Sequence, residues 1–152
     1  MPHVTYELSK EVVLRVAEVL GGSEVLHTPI RTWIELDQAV RAGLPKRSLQ
    51  LVARRVVESG ESANDFVYSV VPSATYKRRS KLSLEESQRT ERLARVIAFT
   101  EALWDDQQEA RAFLNRAHPL LDGETPLNVA RTELGARRVE QLLHEIEHGL
   151  PL

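Results

Sequence analysis

Apolar residues recur at three- and four-residue spacing along this chain, and no stretch sustains the alternation of apolar and polar residues that a half-buried strand requires. That periodicity restricts the chain to helices packed on helices. Ser9 can cap a first helix, whose apolar positions Val12, Val13, Val16, Val19 and Leu20 run up to the Gly21-Gly22 stop. Thr32-Trp33-Ile34-Glu35 and Ser83-Leu84-Glu85-Glu86 read as capping boxes, the first for a helix to about Ala42 and the second for a long helix to about Trp104. Between them, helices are expected over about 47–58, from Ser62, and from Ser73 after Pro72; a short one over about 107–115 follows the long helix. The predicted fold class is all-α.

Composition removes several function classes. The chain has 152 residues, enough to bury roughly 70% of its unfolded surface in one body or to divide into two small ones. It has no cysteine, which excludes disulfide frameworks, thiol redox chemistry and cysteine-ligated zinc. No apolar run approaches a membrane span, and the start Met1-Pro2-His3-Val4-Thr5-Tyr6-Glu7 is polar and mixed, unlike a signal peptide. A soluble, cytoplasmic protein is the expectation.

The net charge of −2 conceals an uneven distribution. Residues 44–80 hold seven Lys and Arg against three Asp and Glu, whereas both flanks are acidic. A basic patch on an acidic chain fits a nucleic-acid module. Within it, two short helices with a tight break between them, the second beginning at a Ser/Thr cap at Ser73 and rich in cations, have the form of a helix-turn-helix. The second helix would place Ser73, Thr75 and Tyr76 where hydroxyls reach phosphates or base edges. Lys77, Arg78 and Arg79 would add phosphate contacts or a bidentate guanine contact. The same cations also fit a solvated face beside Glu85 and Glu86, and charge alone leaves both readings open.

The last third is the most distinctive block. Thr125 can N-cap a helix whose first residue, Pro126, lacks only an N–H that would be unpaired there. A longer helix, over about 136–148, carries Val139, Leu142, Leu143 and Ile146 as one apolar stripe. Gly149 is a natural residue to end it, Pro151 forbids continuation, and the apolar tail Leu150-Pro151-Leu152 follows at once.

That helix also contains His144-Glu145-Ile146-Glu147-His148, a literal H-E-x-x-H zinc-protease pattern. At about 100° per residue from Val139, the apolar stripe covers about 300° to 40°, while His144 and His148 fall near 140° and 180°. The histidines therefore face away from the core, and the few residues beyond them offer no third ligand. Asp105-Asp106 reads as a polar turn, His118 stands in a loop, and His3 and His27 lack a partner nucleophile. Trp33 and Trp104 fall on apolar helix faces as packing residues. No catalytic residue, metal site or cofactor is expected, and no enzyme.

Two stretches together resemble a known family. Leu44-Pro45, Ser62-Ala63-Asn64-Asp65, Ser73 to Arg79 and Leu82 to Ser87 resemble the Xre-like helix-turn-helix of the Xre/MbcA/ParS antitoxins. Asn115-Arg116, Leu120-Leu121, Gly123, Thr125-Pro126-Leu127, Thr132, Gly135-Ala136, Val139, Leu142-Leu143, Ile146 and Gly149 resemble that family's toxin-binding domain. Phe113 stands where the family commonly has Trp. The resemblance implies three segments: a variable helical region at 1–27, an Xre-like helix-turn-helix at 28–88 and a toxin-binding domain at 89–152. It implies an antitoxin whose partner is a RES-domain, NAD⁺-depleting toxin. The carboxyl-terminal helix and tail would block the toxin's active-site cleft, with Arg137, Arg138, Gly149, Leu150, Pro151 and Leu152 in contact. It further implies operator binding and autoregulation by a homodimer or a toxin-bridged assembly, since one recognition helix reads one half-site. The competing reading is a free-standing helix-turn-helix regulator whose C-terminal part dimerises or binds a ligand; a third is an interaction adaptor with an incidental basic helix.

Overall fold

A computed structural model describes residues 10–149; Ser9 lies outside them. The described residues form helices and no strand, as the periodicity predicts. In order they are α1 (Lys10–Val19), α2 (Gly22–Leu26), α3 (Trp33–Ala42), α4 (Lys46–Val56), α5 (Ala63–Val70), α6 (Ser73–Arg78), α7 (Leu84–Trp104), α8 (Gln107–Leu114), a 3₁₀ turn (Pro119–Leu121), α9 (Pro126–Val129) and α10 (Glu133–Glu147).

Local chemistry explains most boundaries. Ser83 and Glu86 complete a reciprocal capping box on α7: Ser83 Oγ accepts the Glu86 N–H at 3.2 Å, and Glu86 Oε1 accepts the Ser83 N–H at 2.8 Å. On α3 the exchange is only half made. Thr32 Oγ1 accepts the Glu35 N–H, but the Glu35 carboxylate takes the N–H of Arg31, one residue earlier. Asp106, read from sequence as a turn residue, caps α8 by accepting the N–H groups of Gln108 and Glu109. Thr125 and Pro126 open α9 as expected.

Three differences from the sequence reading have physical causes. The short α2 starts at Gly22 itself, because Gly21 turns the backbone in the left-handed region, φ 115°, and stands as the cap of a new helix instead of ending the helical region. α6 is capped by Pro72 with no side-chain bond, so Ser73 is its first helical residue and not its cap. α10 begins one turn earlier than the apolar stripe suggests, because Thr132 Oγ1 accepts the Gly135 N–H at 3.0 Å and so caps a first turn made of Glu133, Leu134 and Gly135.

α7 is the axis of the molecule. α1, α3, α4, α5, α8 and α10 all pack on it, and Leu93, Ala94, Val96, Ile97, Ala98, Phe99 and Thr100 are all buried. The periodicity marks one apolar face on this helix, but its middle is enclosed on all sides. The alanines let neighbours approach closely, and Thr100 satisfies its hydroxyl by donating to the Val96 carbonyl at 2.7 Å. One apolar core runs from Val12 on α1 to Leu143 on α10, so side chains from the stretches 1–27, 28–88 and 89–152 share it.

The strap before α4 and the strap before α7 are laced together. Leu82 N–H donates to Leu44 O at 2.9 Å, Lys81 Nζ donates to Ala42 O at 2.7 Å, and the buried Ser87 Oγ accepts the Leu44 N–H at 2.8 Å. These bonds fix both ends of the segment that carries α5 and α6.

Candidate functional site

The basic surface is built around Tyr76. Its ring is buried, stacks edge-on against Tyr68 at 5.9 Å, and its hydroxyl donates to the Lys46 carbonyl at 3.2 Å. Burial pushes the phenol above the ordinary tyrosine range, with a hydrogen bond to Gln50 pulling the other way. Tyr76 is therefore the hinge pin of the surface, with its hydroxyl committed to the fold. Lys46 Nζ lies 4.6 Å from the Tyr76 ring and Lys77 Nζ 5.8 Å from the Tyr68 ring. The tyrosine pair thus gathers cations from α4 and α6 onto one side.

The six residues singled out from the sequence, five on α6 and Arg79 just after it, do not stand alike. Lys77 and Arg78 are exposed, and Arg78 makes no side-chain bond among the described residues. Arg79 pairs through Nε with Glu86 at 3.3 Å, the same carboxylate that completes the α7 cap. Ser73 and Thr75 are half-buried. Lys46 and Arg47, at the start of α4, join this surface although the sequence reading confined it to α6. The signal was present, since Leu44-Pro45-Lys46-Arg47 opens the basic segment. What the sequence lacked was the Tyr76 to Lys46 contact that brings the two elements together.

The second candidate surface lies along α10. Leu120 and Leu121 of the 3₁₀ turn and Leu134, Arg137, Arg138, Gln141, Leu142 and Glu145 of α10 line an open groove of about 550 Å³. Leu120 and Leu134 are 56% and 74% exposed, so apolar side chains are presented to solvent beside two arginines. Arg137 pairs with Glu133 at 3.3 Å and Arg138 with Asp122 at 3.0 Å, both at exposed positions. Gly149 follows the helix with φ 92°, a left-handed turn that suits glycine. Leu150, Pro151 and Leu152 lie outside the described residues. Leu134 was not chosen from sequence, and Leu120 was read there as a mark of the family resemblance, not as a contact residue. Starting α10 at Ala136 hid Leu134; counted from the Thr132 cap, Leu134, Arg137, Arg138, Gln141 and Glu145 fall on one outward face.

The groove's floor is tied down by close packing. Gly135 sits where a Cβ would come within 1.7 Å of the Val129 carbonyl oxygen, so α9 and α10 meet at a corner that admits no side chain there. The two surfaces are joined through arginines. Arg131, ahead of α10, donates to Ser69 Oγ on α5 at 2.9 Å and lies 4.8 Å from the Phe66 ring, while Arg92 of α7 donates to the Arg131 carbonyl. Burial lowers the Arg131 pKa from its ordinary value.

Residues 100–149 match the family described as the antitoxin Xre/MbcA/ParS C-terminal toxin-binding domain. The last third of the chain is thus similar to the toxin-binding domain of Xre-type antitoxins. An antitoxin Xre of Pseudomonas putida is 30% identical over 87 residues, 55% of this chain and 55% of that protein. The chain therefore spans little more than half the length of the curated relative it matches. The resemblance read from Thr125-Pro126, Gly135-Ala136 and Gly149 is borne out, and the groove on α10 lies within the matched span. The matched span also contains Phe113, whose ring packs 4.7 Å from that of Trp104. Among the described residues no helix is long and apolar enough to cross a membrane.

Proposed function

We propose that this chain is the antitoxin of a toxin–antitoxin pair, that its α10 face and the tail after Gly149 bind a RES-domain, NAD⁺-depleting toxin, and that its α4–α6 surface binds operator DNA. The observation that carries this reading is the match of residues 100–149 to an antitoxin toxin-binding domain. The exposed leucines and arginines of the α10 groove support it, because a solvent-facing apolar strip with a charged rim suits a protein partner. Inhibition in this scheme is steric: the tail fills the cleft where NAD⁺ would bind, and no group of this chain performs chemistry.

For DNA, α6 is the recognition helix, with Lys77 and Arg78 as its solvent-facing cations and Lys46 and Arg47 flanking them on α4. One such helix per chain reads one half-site, so operator binding calls for two copies, paired directly or bridged by toxin.

The test is co-expression with the product of the neighbouring gene, which this reading expects to be a RES-domain protein. The two should co-purify, and cellular NAD⁺ should hold at its uninduced level. Deleting residues 149–152 should release NAD⁺ loss while a promoter fragment is still retarded by the chain alone. NAD⁺ loss that the intact chain leaves undiminished would refute the antitoxin reading. Full protection by the truncated chain would remove the tail from it.

A further inference from the structure

The paired histidines at the end of α10 are not among the residues that line the α10 groove. His144 and His148 stand one turn apart, and the backbone bond from His148 N–H to the His144 carbonyl, 3.2 Å, keeps them on one face. Their rings are 4.4 Å apart. Glu147 joins them: one ligand atom from each of the three residues lies within 4.8 Å of the other two. We propose that His144, Glu147 and His148 bind a single borderline divalent transition-metal ion, of which Zn²⁺ is the type.

The donor set selects this class of ion. Two imidazoles and a carboxylate suit Zn²⁺, Ni²⁺ and Cu²⁺, whereas Mg²⁺ and Ca²⁺ prefer oxygen alone. Zinc bonds of about 2.0–2.1 Å put tetrahedral ligands about 3.3 Å apart. The side chains must close by up to about 1.5 Å, and they can do so by rotation, since His144 is only half-buried while Glu147 and His148 are exposed. The negative end of the helix dipole and the Glu145 carboxylate add a field that favours a cation.

The same geometry separates binding from hydrolysis. The carboxylate beside the histidines is Glu147, while Glu145, which a zinc protease would use as its base, lines the α10 groove. The remaining coordination positions face solvent and are filled by water or by a donor from a bound protein.

The test is calorimetric titration of the full-length, tag-free protein with ZnCl₂, paralleled by Co²⁺ titration followed in the visible. One ion per chain is expected, with Co²⁺ bands that Zn²⁺ abolishes. His148→Ala and His144→Ala should each weaken Zn²⁺ about tenfold or more, and Glu147→Gln by less. His3, His27 and His118 remain in every variant, so they serve as internal controls. Circular dichroism checks folding; His148 is exposed at the helix end, and His148→Ala alone decides the matter if His144→Ala unfolds. Zinc binding that is absent at millimolar concentration, or equally tight in His148→Ala, would overturn the assignment.

Discussion

The Ser87 hydroxyl accepts the Leu44 N–H in a place closed to water, and it is the buried side-chain bond among those that fix the strap ahead of the basic surface. Replacing Ser87 with Ala strands a buried donor, so the variant should lose about 1–3 kcal/mol in a urea melt; an unchanged midpoint would mean that the strap finds another acceptor. Arg79 and Lys77 illustrate how alike residues separate once folded. Arg79 belongs to the α7 cap through Glu86, so its removal disturbs the fold as well as any ligand. The clean DNA variant is therefore Lys77→Ala with Arg78→Ala. It should lower operator affinity and reduce the slope of log affinity against log salt by about 0.9 for each phosphate that is no longer neutralised, with the thermal midpoint unchanged. An identical salt slope would take these cations out of the interface. Glu91 sets a pH dependence. It is half-buried beside Arg95 at 3.6 Å, with Glu140, Arg92 and Glu133 around it, and desolvation of its carboxylate raises its pKa from the ordinary value of 4.5. A raised native value means that the fold prefers the protonated form. Its contribution is greatest below pH 4.5 and is lost as pH rises through the native pKa. Melts from pH 4.5 upward should show the wild type losing ground steadily to Glu91→Gln; a difference that stays constant or reverses would contradict this.

At the scale of elements, the helices bounded by strong caps were legible in the sequence, and those shaped by neighbours were less so. Ser83 with Glu86, Ser62, and Thr125 with Pro126 set their own helices through local bonds, so residues three apart suffice to find them. The start of α10 was not legible from its apolar stripe, because its first turn is defined by Thr132 and by the close passage of α9 over Gly135. The stripe begins only where the helix turns inward. The all-round burial of α7 was hidden for a similar reason: Ala94 and Ala98 carry little hydrophobic signal, and only packing from both sides shows their role. The basic face was legible as composition, but its assembly from α4 and α6 rests on the bond from Tyr76 to Lys46, which sequence spacing cannot display. Gly135→Ala tests the corner directly. Its Cβ would collide with the Val129 carbonyl, backbone that cannot swing aside, so a destabilisation of about 3 kcal/mol is expected in thermal or urea melts. A neutral outcome would mean that α9 moves freely.

For the whole molecule, one core and the arginine links between α5 and the α9–α10 corner place the basic surface and the α10 groove on a shared frame. A ligand on either surface therefore meets a scaffold already held by α7. The central claim is that this chain silences a toxin by occupying it with the carboxyl end of α10 and the residues that follow. The measurement that tests it most directly is the rate of NAD⁺ consumption by the purified RES-domain partner as this chain is titrated in. The account predicts that the rate falls to the background at a fixed molar ratio, and that the chain lacking residues 149–152 fails to bring it there. A rate that persists in the presence of excess intact chain would contradict it.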